Sequence, residues 1–242
     1  MTRRAIIFAG PTLPPADRPA GDAAFEWHPP VSQGELYRAA LTRPAAIGVV
    51  DGYFEVVPTV WHKEILWAMA EGIPVYGAAS IGALRAAELD VFGMRGIGRV
   101  YEDFRDGVLA DDDEVAVLHG PAELGYKPLT EAMVDIRATL AAASQAGILT
   151  AVAAARLTEI SKSLFYKERT YSSILAAAGL SKPDLLALED WLPQGRVEQK
   201  RSDAEAMLAA IQADLATGAP KPHVSWRLAA TAAWCNAIRD TG

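Results

Sequence analysis

The sequence predicts an α/β fold: an open, mostly parallel sheet with flanking helices, followed by an all-helical C-terminal domain. Three observations predict it. Through the first half, short uninterrupted apolar runs alternate with longer amphipathic segments, the pattern of strands buried on both faces and joined by helices. The strand signal stops after Leu118. From about Thr130 onward the chain reads as one helix after another, and such a change of pattern marks a change of architecture.

Arg4–Ala9 (RAIIFA) reads as the first buried strand, ended by Gly10-Pro11, and Phe25–His28 (FEWH) as a short second one. Ala46–Val50 ends in Asp51-Gly52, Ile73–Ala78 runs into small residues, and Val115–Leu118 is the fifth expected strand. Between them lie helices over Gln33–Leu41, Pro58–Glu71, Ser80–Val91 and Gly98–Asp106. In the second of these, Trp61, Ile65 and Met69 form one stripe, and Pro58 suits a first turn. In the second half, Gly147, Gly179 and Gly218 close helices, and Ser181-Lys182-Pro183 opens one. The segment HVSWRLAATAAWCNAIRD is the last expected helix. The reading is a Rossmann-like domain over residues 1–125 and a helical domain over 126–242.

Composition narrows the function classes. Half the residues are apolar and the formal charge is −7, with no Lys/Arg run; a nucleic-acid backbone wants a basic footprint, so DNA and RNA are excluded as the main ligand. The lone cysteine, Cys235, makes no internal disulfide, which suits a reducing compartment. No apolar stretch has membrane-spanning length, and the apolar run Ala5–Ala9 is too short for a signal-peptide core, so the expected location is cytoplasmic. Neither zinc spacing nor a phosphate loop is present, and no cofactor or metal is expected. The acidic run Asp111–Glu114 lacks a phosphate-cradling partner and reads as a solvated turn.

In an open parallel sheet, ligands bind beyond the carboxyl ends of the strands. Gly10-Pro11-Thr12, Asp51-Gly52, Gly77-Ala78-Ala79-Ser80-Ile81-Gly82 and His119-Gly120 follow four of the expected strands. The third group is the most informative. Ala78-x-Ser80-x-Gly82 is a variant of the nucleophile elbow, whose sharp turn needs small neighbours and exposes a hydroxyl at a helix N-terminus. The competing reading of Ser80 is a helix N-cap. A hydroxyl nucleophile needs a base. His62 is the first candidate, oriented by Asp51. Lys63, if desolvated, and His119 are the others. Arg85 and Glu88 on the elbow helix are candidates for holding a main-chain end; their spacing equally suits a solvated ion pair.

The ordered set Gly10-Pro11-Thr12-Leu13, Asp51-Gly52-Tyr53-Phe54, Trp61-His62-Lys63-Glu64-Ile65-Leu66, Gly77 to Leu89, Gly93-Met94 and Asp112 to Val117 resembles the core of TfuA-like proteins. The resemblance spans about residues 5–140. It implies an accessory protein working beside a YcaO enzyme, which activates a peptide amide with ATP so that sulfur replaces oxygen; the family acts on ribosomal peptides and on a methanogen coenzyme-M reductase glycine. It implies hydrolysis of a thiocarboxylate on the C-terminus of a ubiquitin-like sulfur-carrier protein, with release of bisulfide and with the precursor peptide as a further partner. In that frame Ser80, His62, Asp51 and Lys63 are the catalytic candidates. Gly10, Pro11, Thr12, Gly52, Gly77 and Gly82 would form a slot for a glycine tail, with Arg85, Glu88 and His119 at its sides. The alternative is a non-catalytic partner that binds and activates YcaO or recruits the peptide, with Trp191, Trp226 and Trp234 supplying an interface. A hydrolase of small esters is a third reading.

Overall fold

Five strands, β1 (Ala5–Phe8), β2 (Phe25–His28), β3 (Ala46–Val49), β4 (Val75–Ala78) and β5 (Arg95–Ile97), form one all-parallel sheet in the order β2-β1-β3-β4-β5 in the computed structural model. The structure describes residues 4–19, 23–218 and 221–239. It divides into two compact units: residues 1–110 together with 201–242, and residues 111–200.

In the first unit, four helices follow strands at the sheet's carboxyl edge: α1 (Glu35–Leu41), α2 (His62–Ala70), α3 (Ile81–Leu89) and α4 (Arg99–Arg105). Strands β1, β3 and β4 are buried throughout, which explains their unbroken apolar runs. Alternate residues on a strand serve opposite faces, and Ile7, Gly48 and Tyr76 lie in one cross-strand row. That face is covered by α9 (Gln199–Thr217), whose Ala204, Met207, Leu208 and Ile211 join Ile7, Ala46, Tyr76 and Ala78 in one core. Gly48 lets the helix come close, because a Cβ there would stand 2.8 Å from Ile7 Cδ1 and 3.0 Å from Met207 Cε. Asp203 of α9 accepts the amide of Val100 at 2.7 Å, fixing the start of α4.

Two expectations are corrected here. Val115–Leu118 is not a strand: side chains take part of its backbone, Val115 C=O accepting from Lys200 Nζ and Leu118 N–H donating to Thr130 Oγ1, both at 2.8 Å. The fifth strand is instead Arg95–Ile97. The units also do not divide at residue 125. The second begins at residue 111, and α9 from residue 201 and α10 (Ala232–Arg239) belong to the first, because an open sheet must bury both apolar faces.

The second unit is helical, with α5 (Met133–Gln145), α6 (Ala151–Ser163), α7 (Tyr171–Ala177) and α8 (Lys182–Gly195). Met133, Ile136, Leu140, Leu157, Ile174 and Leu188 build its core. The acidic run is tied down inside this unit: Glu114 receives both arms of the Arg137 guanidinium at 2.9 Å, and Asp113 pairs with Lys162 and the buried Arg169. No described helix is long and apolar enough to cross a membrane.

Two helix starts differ from the sequence reading. Pro58 does not open α2, which begins at His62 after extended backbone at Trp61. The last helix is confined to Ala232–Arg239, and residues 223–231 are not helical.

Candidate functional site

The strand order changes direction between β1 and β3, and the crevice beyond their carboxyl ends is where doubly wound sheets hold ligands. Asp51 occupies that position. It is 1% exposed, and its carboxylate is bound from the loop after β1: Gly10 N–H donates to Oδ2 at 2.8 Å, Thr12 N–H to Oδ2 at 3.0 Å and Thr12 Oγ1 to Oδ1 at 2.6 Å. Three charge-assisted bonds hold a buried carboxylate that would otherwise be costly to desolvate. Pro11 sits between the two donors. Asp51 C=O in turn accepts Val31 N–H at 2.8 Å, joining the loop after β2. Asp51 was expected to orient His62; the structure gives it to Gly10 and Thr12, because those amides lie next to it across the β1–β3 pair.

The turn after β4 is sharp. Ser80 N–H reaches back to Ala78 C=O at 2.8 Å around Ala79, whose φ is +67°. A γ-turn with its central residue at positive φ is rare and strained, and a non-glycine residue there costs roughly 1–3 kcal/mol. Ser80 is the N-cap of α3 by position, yet its side chain makes no capping bond, so the simple cap reading does not describe it. It is 8% exposed. Of the first-turn amides, Gly82 N–H is spent on Val50 C=O at 3.2 Å, and those of Ala83 and Leu84 on Ser80 C=O. Among the described residues, the first-turn amide that remains for an incoming oxygen is that of Ile81.

Two slot candidates serve packing instead. A Cβ on Gly82 would stand 1.8 Å from Val49 O, and one on Gly77 would stand 2.1 Å from Gly82 O, so these glycines let α3 lie directly against β3 and β4. At those two positions the backbones approach too closely for a side chain; at Gly52 a Cβ would meet Ile81 Cγ2 at 2.9 Å and Val31 O at 3.0 Å, a looser fit.

His62 opens α2 and stands across from α3. Its Nε2 meets Glu88 Oε2 at 2.8 Å, and Arg85 Nη1 meets the same oxygen at 2.6 Å. Arg85 is largely buried, with Nε donating to Val60 C=O at 3.2 Å. Burial alone would raise the Glu88 carboxyl, but the His62 hydrogen bond and the Arg85 charge outweigh it and hold it below the usual range. Glu88 lies eight residues beyond Ser80, about 12 Å along the helix axis at 1.5 Å per residue. His62, Arg85 and Glu88 are therefore one cluster, set apart from Ser80 by two turns of α3. Lys63 is used elsewhere: its Nζ donates to Ala229 C=O at 2.9 Å and to Thr231 Oγ1 at 2.8 Å, pinning the C-terminal segment. His119 belongs to the second unit, where Nδ1 lies 2.8 Å from Gly120 O and the ring stands edge-on to Tyr126.

The sequence reading missed Glu64. It lies on the side of α2 that faces α1, is 2% exposed, and accepts Trp61 N–H at 3.0 Å and Tyr37 N–H at 3.2 Å. Burial pushes its carboxyl up, against the backbone hydrogen bonds and the charge of Arg38. The signal was present: an acid at the third position of a helix, reaching back to the N-cap amide, inside an otherwise apolar stripe. With Tyr37, Trp61 and Trp234 it lines a cavity of about 290 Å³.

Residues 51–170 match the family model described as TfuA-like protein. The match takes in Asp51, the Ser80 turn and the His62–Arg85–Glu88 cluster; Gly10 to Thr12 precede it. No curated protein matches the chain.

Proposed function

Since the chain belongs to the TfuA-like family over its residues 51–170, we propose that it is the accessory protein of a YcaO enzyme in peptide-backbone thioamidation, and that it releases bisulfide from a thiocarboxylated carrier protein. The observation that carries the chemical part of this reading is the Ser80 turn: a strained strand-to-helix corner, closed around Ala79 at φ +67°, that places a serine at the start of α3.

The chemistry balances in two steps. Ser80 Oγ adds to the thiocarboxylate carbonyl, the C–S bond breaks, and the hydroxyl proton leaves with the sulfur as HS⁻. The acyl group is then an ester on Ser80. Ile81 N–H is the donor for the oxyanion of the tetrahedral intermediate. Water next adds to the ester, the carrier leaves as an ordinary carboxylate, and one proton is released. That proton passes to water, since His62 is held by Glu88 two turns of α3 away from Ser80. Asp51 organises the loops after β1 and β3. The test is a rapid acid quench of protein mixed with thiocarboxylated carrier. The expected product is a carrier–protein ester mapped to Ser80; sulfide release with no such adduct at any time removes Ser80 from the chemistry.

One observation favours a second reading, a partner that activates YcaO without chemistry of its own: Ser80 is only 8% exposed, little for a group that a carrier's tail must reach. A reconstituted thioamidation that keeps its full rate with Ser80→Ala supports that reading over the first.

A further inference from the structure

We propose that the cavity between α1, α2 and α10 is a binding site for a cationic side chain, an arginine or lysine of a peptide segment. Its acidic group is Glu64 and its aromatic lining is Tyr37, Trp61 and Trp234. A buried carboxylate is ordinarily paired with a cation. Among the described residues no lysine or arginine forms an ion pair with Glu64; Arg38 contributes only as a nearby charge. An ionised carboxylate offers about four lone-pair sites. Glu64 gives one each to the amides of Trp61 and Tyr37, with Gly34's amide the third group near it. Its role in fixing the starts of α1 and α2 therefore leaves acceptor capacity on a side chain that lines a cavity.

The walls suit the same ligand. An aromatic face attracts an ammonium or guanidinium, most strongly where water is excluded. Tyr37 is packed edge-on against Trp67 at 4.6 Å and Trp234 at 5.5 Å between ring centroids. The volume of about 290 Å³ sits at the lower end of the ~300–1,000 Å³ of small-molecule sites, the size for one long side chain. Ser32 and Gln33 add polar groups for its main chain, and the chain's charge of −7 favours a basic partner. Nothing in this depends on the chemistry assigned to Ser80.

Calorimetry tests it with four probes: n-butylguanidinium, its neutral isostere n-butylurea, acetyl-Gly-Arg-Gly-amide and the citrulline peptide of the same sequence. The two cations are expected to bind saturably, and the two neutral probes about tenfold or more weaker. Glu64→Gln is expected to erase that preference while keeping the helix cap, since glutamine serves the same N3 position. Ile238→Trp, which leaves Glu64 untouched, fills the cavity from α10 and is expected to abolish binding of both cations. Equal binding of charged and neutral probes, retained affinity in Ile238→Trp, or no binding of either cation overturns the proposal. Binding of butylguanidinium without the arginine peptide overturns its peptide part and leaves a site for a free amine or guanidine.

Discussion

Thr12 grips Asp51 twice, through its hydroxyl on Oδ1 at 2.6 Å and its amide on Oδ2 at 3.0 Å. These bonds join the loop after β1 to the loop after β3 at the point where the sheet changes direction. Thr12→Val keeps the shape and removes the hydroxyl. A lost hydrogen bond to a buried charged group costs about 1.5–3 kcal/mol, so the urea midpoint is expected to fall accordingly. An unchanged midpoint shows that the Asp51 hub does not hold these loops.

Gly82 and Gly72 separate two kinds of glycine requirement. An alanine Cβ at 82 would meet Val49 O at 1.8 Å, backbone against backbone, and α3 cannot relax without leaving the sheet. Gly82→Ala is expected to cost about 3 kcal/mol or more. At Gly72 φ is +81° and nothing lies within 4 Å, so alanine there meets strain alone, about 1–2 kcal/mol. Thermal melts of the two variants compare them directly; the reverse ranking contradicts the packing described for α3.

Glu88 makes stability depend on pH in the acid range. Its carboxyl is held below the ordinary value by His62 and Arg85, in spite of burial. The contribution is present above the unfolded value and is lost as pH falls through the depressed folded value. Wild type is therefore expected to melt above Glu88→Gln at pH 6, with the gap closing below about pH 4. A gap of the same size at every pH would show that the glutamine disturbs packing instead.

Asp135 carries the opposite sign. Burial, the dominant cause, raises its carboxyl from 3.8 to about 6, against the pull of Lys200. The folded state then binds the proton more tightly than the unfolded one, so stability declines as pH rises between these values and stays lower above them. Asp135→Asn keeps an acceptor for the Lys200 amide and removes the charge. It is expected to be more stable than wild type at pH 7, by up to about 3 kcal/mol, with no difference below about pH 4. Equal stability at pH 7 contradicts a carboxyl raised in the folded state at this position.

Strands β1, β3 and β4 were legible because they are buried on both faces and so carry unbroken apolar runs. Arg95–Ile97 was not, since an edge strand of three residues with a central glycine and partial exposure leaves no run to read. Val115–Leu118 has the apolar run without the partner strand. The apolar face of α9, Ala204, Met207, Leu208 and Ile211, is visible in the sequence at helical spacing, but a face does not say which surface it covers; here it returns to strands far earlier in the chain. At the site, the types of residue at each strand end were readable. Their pairing was not. Asp51 and His62 are both polar groups at the same edge, and only the fold gives one to Thr12 and the other to Glu88.

The most direct measurement is the rate of sulfide release from a thiocarboxylated carrier protein by wild type and by Ser80→Ala, with melting curves showing both folded. Release by wild type and a loss of about 100-fold or more in the variant is the expected result. Equal release by the two proteins, or release by neither, contradicts Ser80 as the nucleophile.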